Sequence, residues 1–537
     1  MLKHTSAAIA AALLLSACNS ADQPASAVDT AASVPAQQAP VAAVQLSESE
    51  KVNAFFERVF EESVARSPET LTFLGRKDRA DEWDDLSQAH ADESLELTKS
   101  QLAELKAFDK SKLDDSTALS YDLLVQSMEE EIADNKWRLY NYPINQMFGK
   151  HSGVVSLLIN QHRINDLNDA ENYIARLNGV KAHFDQLIDG IEARTAANII
   201  PPKFVFPHVI RDSQNIIKGA PFDDGEPSAL LADFTQKIDA LAAKEGSNIS
   251  AEQKTKLMAA ATQALISSVK PAYENLIFMF ARHETRTNED HGVWKLPDGA
   301  EYYASRLKHY TTTDMSADEI HKIGLEEVAR IQNEMRVIMK QVGFEGTLQE
   351  FFTHLRTDPE FTYPNDETGR ETYMTGAAKI IDEMKAQLDG LFITKPKADM
   401  VVKRVEPFRE DTAFGAFYNQ PALDGSRPGT YYINLKDMGE LPIYQMQALA
   451  YHEGIPGHHI QIAIGMELEG LPKFRTLGGY TAYVEGWALY SEALPKELGL
   501  YTDPYQDFGR LSMEIFRAAR LVLDTGIHAK KWTREQA

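Results

Sequence analysis

Apolar residues recur at helical spacing along most of the chain. SESEKVNAFFERVFEES opens with Ser and Glu and repeats Val52, Phe55, Phe56, Val59 and Phe60 on one side of a helix. Similar amphipathic runs cover Asp92 to Ala107, Asp115 to Asp134, Asp169 to Thr195 and Ala251 to Thr285. The sharpest is MSADEIHKIGLEEVARIQNEMRVIMKQVG. There Ser316 and Glu319 form a capping box, and Ile320, Ile323, Val328, Ile331, Met335 and Ile338 line one face. Strand patterns are few, the best being VVKRVEP (Val401 to Pro407) and GTYYINL (Gly429 to Leu435). No repeat of fixed period is present. The pattern predicts a mainly α fold, large and helical, with a small β-sheet.

A polar stretch that then carries Gly and Pro, TRTNEDHGVWKLPDG from Thr285 to Gly299, marks a seam. It separates an N-terminal helical lobe (46–290) from a second lobe (291–537) that carries the chemistry. The start of the chain has a different character. Lys3 and His4 precede an apolar run of about a dozen residues, shorter than the ~20 that span a bilayer, which is the layout of a secretory signal peptide (1–17). Leu15 to Cys18 resembles the bacterial lipobox, in which the cysteine is lipidated and becomes the mature N-terminus. Residues 18–45 are rich in Ala, Ser, Pro and Gln, too polar to fold alone, and read as a flexible tether. Asn19 is not the aspartate associated with inner-membrane retention, so the resemblance implies a periplasmic protein held to the outer membrane by its lipid anchor. Cys18 is the single cysteine, so no intrachain disulfide forms.

The bulk composition changes this picture little. The 537 residues are 43% hydrophobic and 25% charged, which is ordinary for a folded protein. The formal net charge of −24 argues against a nucleic-acid partner, whose phosphates require Lys and Arg.

The chemistry concentrates in two segments. YHEGIPGHHIQ (Tyr451 to Gln461) sets His452 beside Glu453 and adds His458 and His459. TAYVEGWALYSE (Thr481 to Glu492) supplies Glu485, the least comfortable residue of an otherwise apolar helix. Two imidazoles and a carboxylate are a common ligand set for one catalytic zinc, and a glutamate beside the first histidine is where a general base sits. The spacing is unusual. Histidines four apart share a helix face, but here the fourth residue after His452 is Pro456. On a straight helix His458 points about 120° away, and His459 lies roughly 10 Å along the axis. Neither reaches the same ion at the ~2.0–2.1 Å of a Zn–N bond. The helix must therefore break, and Gly454, Pro456 and Gly457 suit that task. A break absorbing two residues brings in His458; one absorbing three brings in His459 instead. The first needs the smaller distortion. Glu492, two turns after Glu485, is positioned to orient a ligand histidine through its free ring nitrogen.

HEGIPGHH with VEGWALYSE resembles the bacterial family known as domain of unknown function 885. The similarity extends to Gly292–Val328, to DGSRPGTYYINL (Asp424 to Leu435) and to RLVLDTGIHAKKWTREQA (Arg520 to Ala537), and covers essentially everything after the tether. Its motif layout is similar to glutamate-liganded zinc peptidases of the thimet-oligopeptidase and Taq-carboxypeptidase types. Those are mainly helical with a deep cleft lined by the zinc site. The resemblance implies one zinc on His452, His458 and Glu485, with Glu453 as general base acting on small or medium peptides. The longer spacing departs from their HExxH motif at the second histidine. The family's members also continue for several dozen residues past the equivalent of KKWTREQA, which implies a C-terminal piece missing from this sequence.

Peptide hydrolysis also needs a donor for the developing oxyanion. His528 is the first candidate, against a histidine that merely caps a helix end. Tyr483 and Tyr490 flank the Glu485 face and are donors or core aromatics. Arg517 and Arg520 sit one turn apart; one of them binds a substrate carboxylate, or both pair with Glu485, Glu492 or Asp524. GTYYINL is either an ordinary strand or an edge strand that aligns an extended peptide. The competing readings of the whole chain are a zinc amidase on a non-peptide amide, a catalytically silent binding lipoprotein, and a metal-free structural protein of the envelope.

Overall fold

Side-chain caps fix where the helices begin. Ser47 with Glu50, Ser316 with Glu319, Thr347 with Glu350 and Asp503 with Gln506 each close a reciprocal capping box. Every one satisfies backbone N–H groups that a helix start leaves unpaired. The computed structural model describes residues 46–244 and 249–537. The signal peptide, the tether and Cys18 lie outside the described residues.

The chain folds as a mainly helical protein, and Ser47 to Ala537 pack as one unit. Asp115–Asp134 and Ala317–Gln341 are single helices, as their periodicity predicts. Ala251 to Thr285 is less regular. A helix at Ala251–Ala264 widens through a π-helical turn at Leu265–Val269 and resumes over Lys270–Glu284. Of the apolar face predicted for Ala317–Gln341, Ile320, Ile331, Met335 and Ile338 are buried, whereas Ile323 faces solvent.

Three strands form one small sheet: β1 (Met400–Arg404), β2 (Ala416–Asn419) and β3 (Gly429–Ile433). The order is β1-β3-β2, with β3 parallel to β1 and antiparallel to β2. This corrects the edge-strand reading of GTYYINL. Its backbone is paired on both sides and all five residues are buried, so it has no free edge to offer a peptide. The sequence pattern also missed β2, which is only four residues long.

Three buried clusters organise the core. One joins Leu177, Phe184, Phe206, Phe234 and Tyr273, and reaches across the chain to Phe408. A second surrounds β3 with Tyr373, Tyr431, Met446 and Tyr451. A third packs Met335, Phe351, Phe508 and Leu511. The helix Ile443–Glu453 takes part in the last two, through Met446 and Tyr451 on one side and Tyr444 on the other. It crosses Pro504–His528 at Gly509, where a Cβ would stand 1.8 Å from the Tyr444 carbonyl oxygen. Only a glycine permits so close a crossing, and it brings both helices to the site described below.

The first core also buries histidines in their neutral form. His162 accepts from Arg176 Nη1 at 3.2 Å and pairs its Nε2 with the Asp169 carbonyl at 3.0 Å. Since arginine only donates, Nδ1 is the acceptor and Nε2 carries the proton. Burial pushes the pKa of His151 and of His162 down to about 4, and the Arg176 charge adds to the effect at His162. Both values lie below the unfolded-state value near 6.5, so the stabilisation is complete above that pH and is lost as pH falls toward 4. Each histidine contributes about 3 kcal/mol at neutral pH. The melting temperature is therefore expected to fall steeply between pH 6.5 and 4. A thermal-melt series that stays flat over that range would contradict this account.

Candidate metal centre

Helix Ile443–Glu453 ends on the residues that carry its chemistry. Gly454 caps it, and its amide still donates to the Ala450 carbonyl at 2.9 Å. The Ile455–Pro456 peptide is cis, and Gly457 caps a second helix, His458–Glu467. The break is therefore complete, with a change of direction rather than a bulge inside one helix. At Gly457 a Cβ would lie 2.0 Å from the His452 carbonyl oxygen and 2.3 Å from that of Tyr451. Gly457→Ala is accordingly expected to cost about 1–3 kcal/mol and to separate the two histidines. Differential scanning calorimetry with metal analysis checks it; an unchanged melting temperature and metal content would refute it.

The third element is the helix Thr481–Glu497. Trp487 Nε1 donates to the Pro456 carbonyl at 2.9 Å, which pins this helix to the break between the histidines. The pin brings Glu485 to them. Glu485 Oε2 lies 3.7 Å from His452 Nε2, and its Oε1 lies 3.6 Å from His458 Nε2. One ligating atom from each of His452, His458 and Glu485 falls within 4.8 Å of the others. Ligands of a tetrahedral zinc with ~2.1 Å bonds stand roughly 3.4 Å apart, so a small closure suffices.

The electrostatics suit a cation. Glu492 is 1% exposed, and its Oε1 lies 2.8 Å from His452 Nδ1. Arg517 Nη2 donates to His452 Nε2 at 2.7 Å, so Nε2 is the lone-pair nitrogen and Nδ1–H donates to Glu492. Burial, reinforced by Arg517, pushes the His452 pKa down to about 3. Burial, reinforced by His452, pushes His458 down to about 4. Both imidazoles are neutral, which is the form that ligates metals. Glu453 is buried beside them; burial first, then the carboxylates of Glu485 and Glu492, push it up to about 8, with Arg517 opposing. Burial likewise pushes Glu492 up to about 8 against the pull of Arg517 and Arg510.

The other sequence candidates are placed as follows. Glu485 is half-exposed rather than buried, because its helix runs along the surface there; the buried glutamate of that helix is Glu492. His459 points away: its Nδ1 meets the Tyr418 hydroxyl at 2.9 Å and its Nε2 the Ala398 carbonyl at 3.1 Å. His528 lies eleven residues beyond Arg517 on Pro504–His528, about 16 Å along the axis, and its Nδ1 accepts from the Val293 amide at 3.0 Å. It ties the seam to a helix end and is not an oxyanion donor to this cluster. Tyr483 and Tyr490 are both exposed, not core; Tyr490 lies against Trp487. Arg517 enters the cluster directly, pairing with Glu485 at 2.9 Å. Sequence spacing gave no sign of the Trp487 pin or of the Tyr418–His459 pair, since each joins distant segments.

A cleft of about 1430 Å³ opens beside the cluster. Its walls include Gln126 and Asp134 from one side, Arg306 and His309 from another, and Tyr483 and Glu485 from the third. It exceeds the 300–1,000 Å³ typical of drug-sized ligands.

Over residues 68–537 the chain matches the family described as "Bacterial protein of unknown function (DUF885)". No curated protein matches it. A crystal structure from Colwellia psychrerythraea, described as a "putative lipoprotein", superposes with a TM-score of 0.84 at 29% sequence identity, covering 92% of this chain and 85% of that one. A "putative lipoprotein of unknown function" from Shewanella oneidensis superposes with a TM-score of 0.60 at 18% identity, over the same 92% and 85%. The latter likeness is one of fold.

Proposed function

The chain belongs to the DUF885 family of bacterial proteins, and from that premise we propose that it is a zinc-dependent peptidase acting on small or medium peptides. The observation that carries the reading is the convergence of His452 Nε2, His458 Nε2 and the Glu485 carboxylate, with Glu453 buried next to them. Two neutral imidazoles and one carboxylate are a donor set for zinc with a position left for water. Zinc, when bound there, supplies a Lewis acid for the scissile carbonyl and for water. Glu492 fixes the ring and tautomer of His452 through Nδ1, the kind of outer contact that sharpens metal affinity. Arg517 holds the same Nε2 lone pair that a metal would take, so loading requires its guanidinium to swing aside.

In this proposal Glu453 accepts a proton from the attacking water as oxygen adds to the peptide carbonyl carbon. It then delivers that proton to the leaving nitrogen as the C–N bond breaks. A carboxyl pushed up toward neutral pH by burial is suited to both halves of that transfer. Arg517, once displaced, is the nearest cation for the developing oxyanion. Glu485 on the cleft wall gives the buried residues their contact with the cleft.

The Cys18 lipobox and the description of the Colwellia protein support an envelope lipoprotein, which places the substrates among periplasmic peptides. The test is zinc content by elemental mass spectrometry together with a peptide-library digest, using Glu453→Gln as the inactive control. Turnover of peptides by the parent and not by the variant is expected. A zinc-loaded chain that cleaves no peptide would end this reading.

A further inference from the structure

The two arginines of the helix Pro504–His528 stand one turn apart but have different surroundings. Arg517 is committed to Glu485, His452 and Glu492. Arg520 has no carboxylate within ion-pair distance among the described residues. Its guanidinium lies over the ring of Phe516, 4.3 Å from the centroid, and that ring is itself 58% exposed. Stacking holds the planar fork flat and leaves its N–H edge open to solvent. Partial desolvation and then Arg517 hold its pKa below the ordinary guanidinium value, while Glu485 opposes them, which sets Arg520 in the field of the cluster.

In a chain of net charge −24, a guanidinium without an acidic partner beside a Glu-lined site is unusual company. Its planar fork matches a carboxylate bidentately. The spacing is informative too. Three residues along a helix rise about 4.5 Å. Neighbouring Cα atoms of a peptide stand about 3.8 Å apart. If Arg517 marks the reacting carbonyl, Arg520 marks a point about one residue further along the substrate.

We infer that Arg520 receives the free C-terminal carboxylate of the substrate, so that the site releases single residues as a carboxypeptidase. This rests on the peptidase reading above and specifies its substrate: a peptide with an unblocked C-terminus. Endopeptidase action, by contrast, would leave Arg520 without a partner in the substrate.

The test compares Ac-Leu-Phe-Ala as free acid and as carboxamide on the zinc-loaded chain. The acid is expected to be hydrolysed with kcat/KM about a hundredfold higher than the amide. In Arg520→Met the acid's advantage disappears, chiefly through KM, and Arg520→Lys restores part of it. Equal kcat/KM for acid and amide in the parent would overturn the inference, as would an acid preference that survives Arg520→Met. If neither peptide is cleaved, the hydrolytic reading fails by itself. The anchor is then judged by calorimetric binding of both peptides to zinc-loaded Glu453→Gln. Acid bound tenfold or more tightly than amide, with the difference abolished by R520M, supports it; equal affinity overturns it.

Discussion

His452→Ala is expected to leave the chain without zinc, where the parent takes up about one ion. Three protein ligands hold a catalytic zinc, and removal of one leaves a histidine and a half-exposed carboxylate, too few for a stable site. His452 also does a second job, since its Nδ1–H is the partner of the buried Glu492 Oε1. Glu492 Oε2 already lacks a hydrogen bond, so losing His452 strands the whole carboxyl and costs stability as well as metal. His458→Ala separates the two effects. The Nδ1 of His458 has no hydrogen-bond partner, so this variant removes a ligand without orphaning another group. Elemental mass spectrometry on both variants and on the parent after zinc reconstitution decides the matter. The metal centre would be disproved by a parent without zinc, or by His458→Ala and His452→Ala chains that retain it in full.

The second large effect is expected from Glu453→Gln. Gln keeps the shape of Glu and cannot carry the proton, so kcat should fall by about 10²–10⁴, equivalent to about 3–5 kcal/mol of barrier. Zinc content should stay the same, because Glu453 is not among the ligands. Stability should hold or rise. Burial and the nearby carboxylates already disfavour the charged form of Glu453, and the amide removes that strain. An inactive chain that binds zinc and melts no lower than the parent is the signature of a general base. Activity within about threefold of the parent would sink that role.

The helices were legible in the sequence because their signals are local. Ser316 and Glu319 announce a start three residues apart, and Ile320, Ile331, Met335 and Ile338 repeat within a single element. The break after Glu453 was legible for the same reason: Gly454, Pro456 and Gly457 are adjacent, and no helix continues through them. β2 was not, because four residues carry too little alternation to stand out. Ile323 was misjudged because periodicity defines a face without its width.

What the sequence by itself determined is therefore the mainly helical class, the interruption between His452 and His458, and the set of groups able to bind a metal. What only the tertiary structure decided is which of them meet. Trp487 reaches the Pro456 carbonyl and so brings Glu485 to the histidines, while Tyr418 draws His459 away from them. Gly509 lets Pro504–His528 approach Ile443–Glu453 closely, which sends Arg517 into the cluster and leaves Arg520 and His528 to other surroundings. The physical reason is range. Caps and periodicity act over a few residues along the chain, whereas these contacts join segments 31 to 65 residues apart, and packing alone selects them.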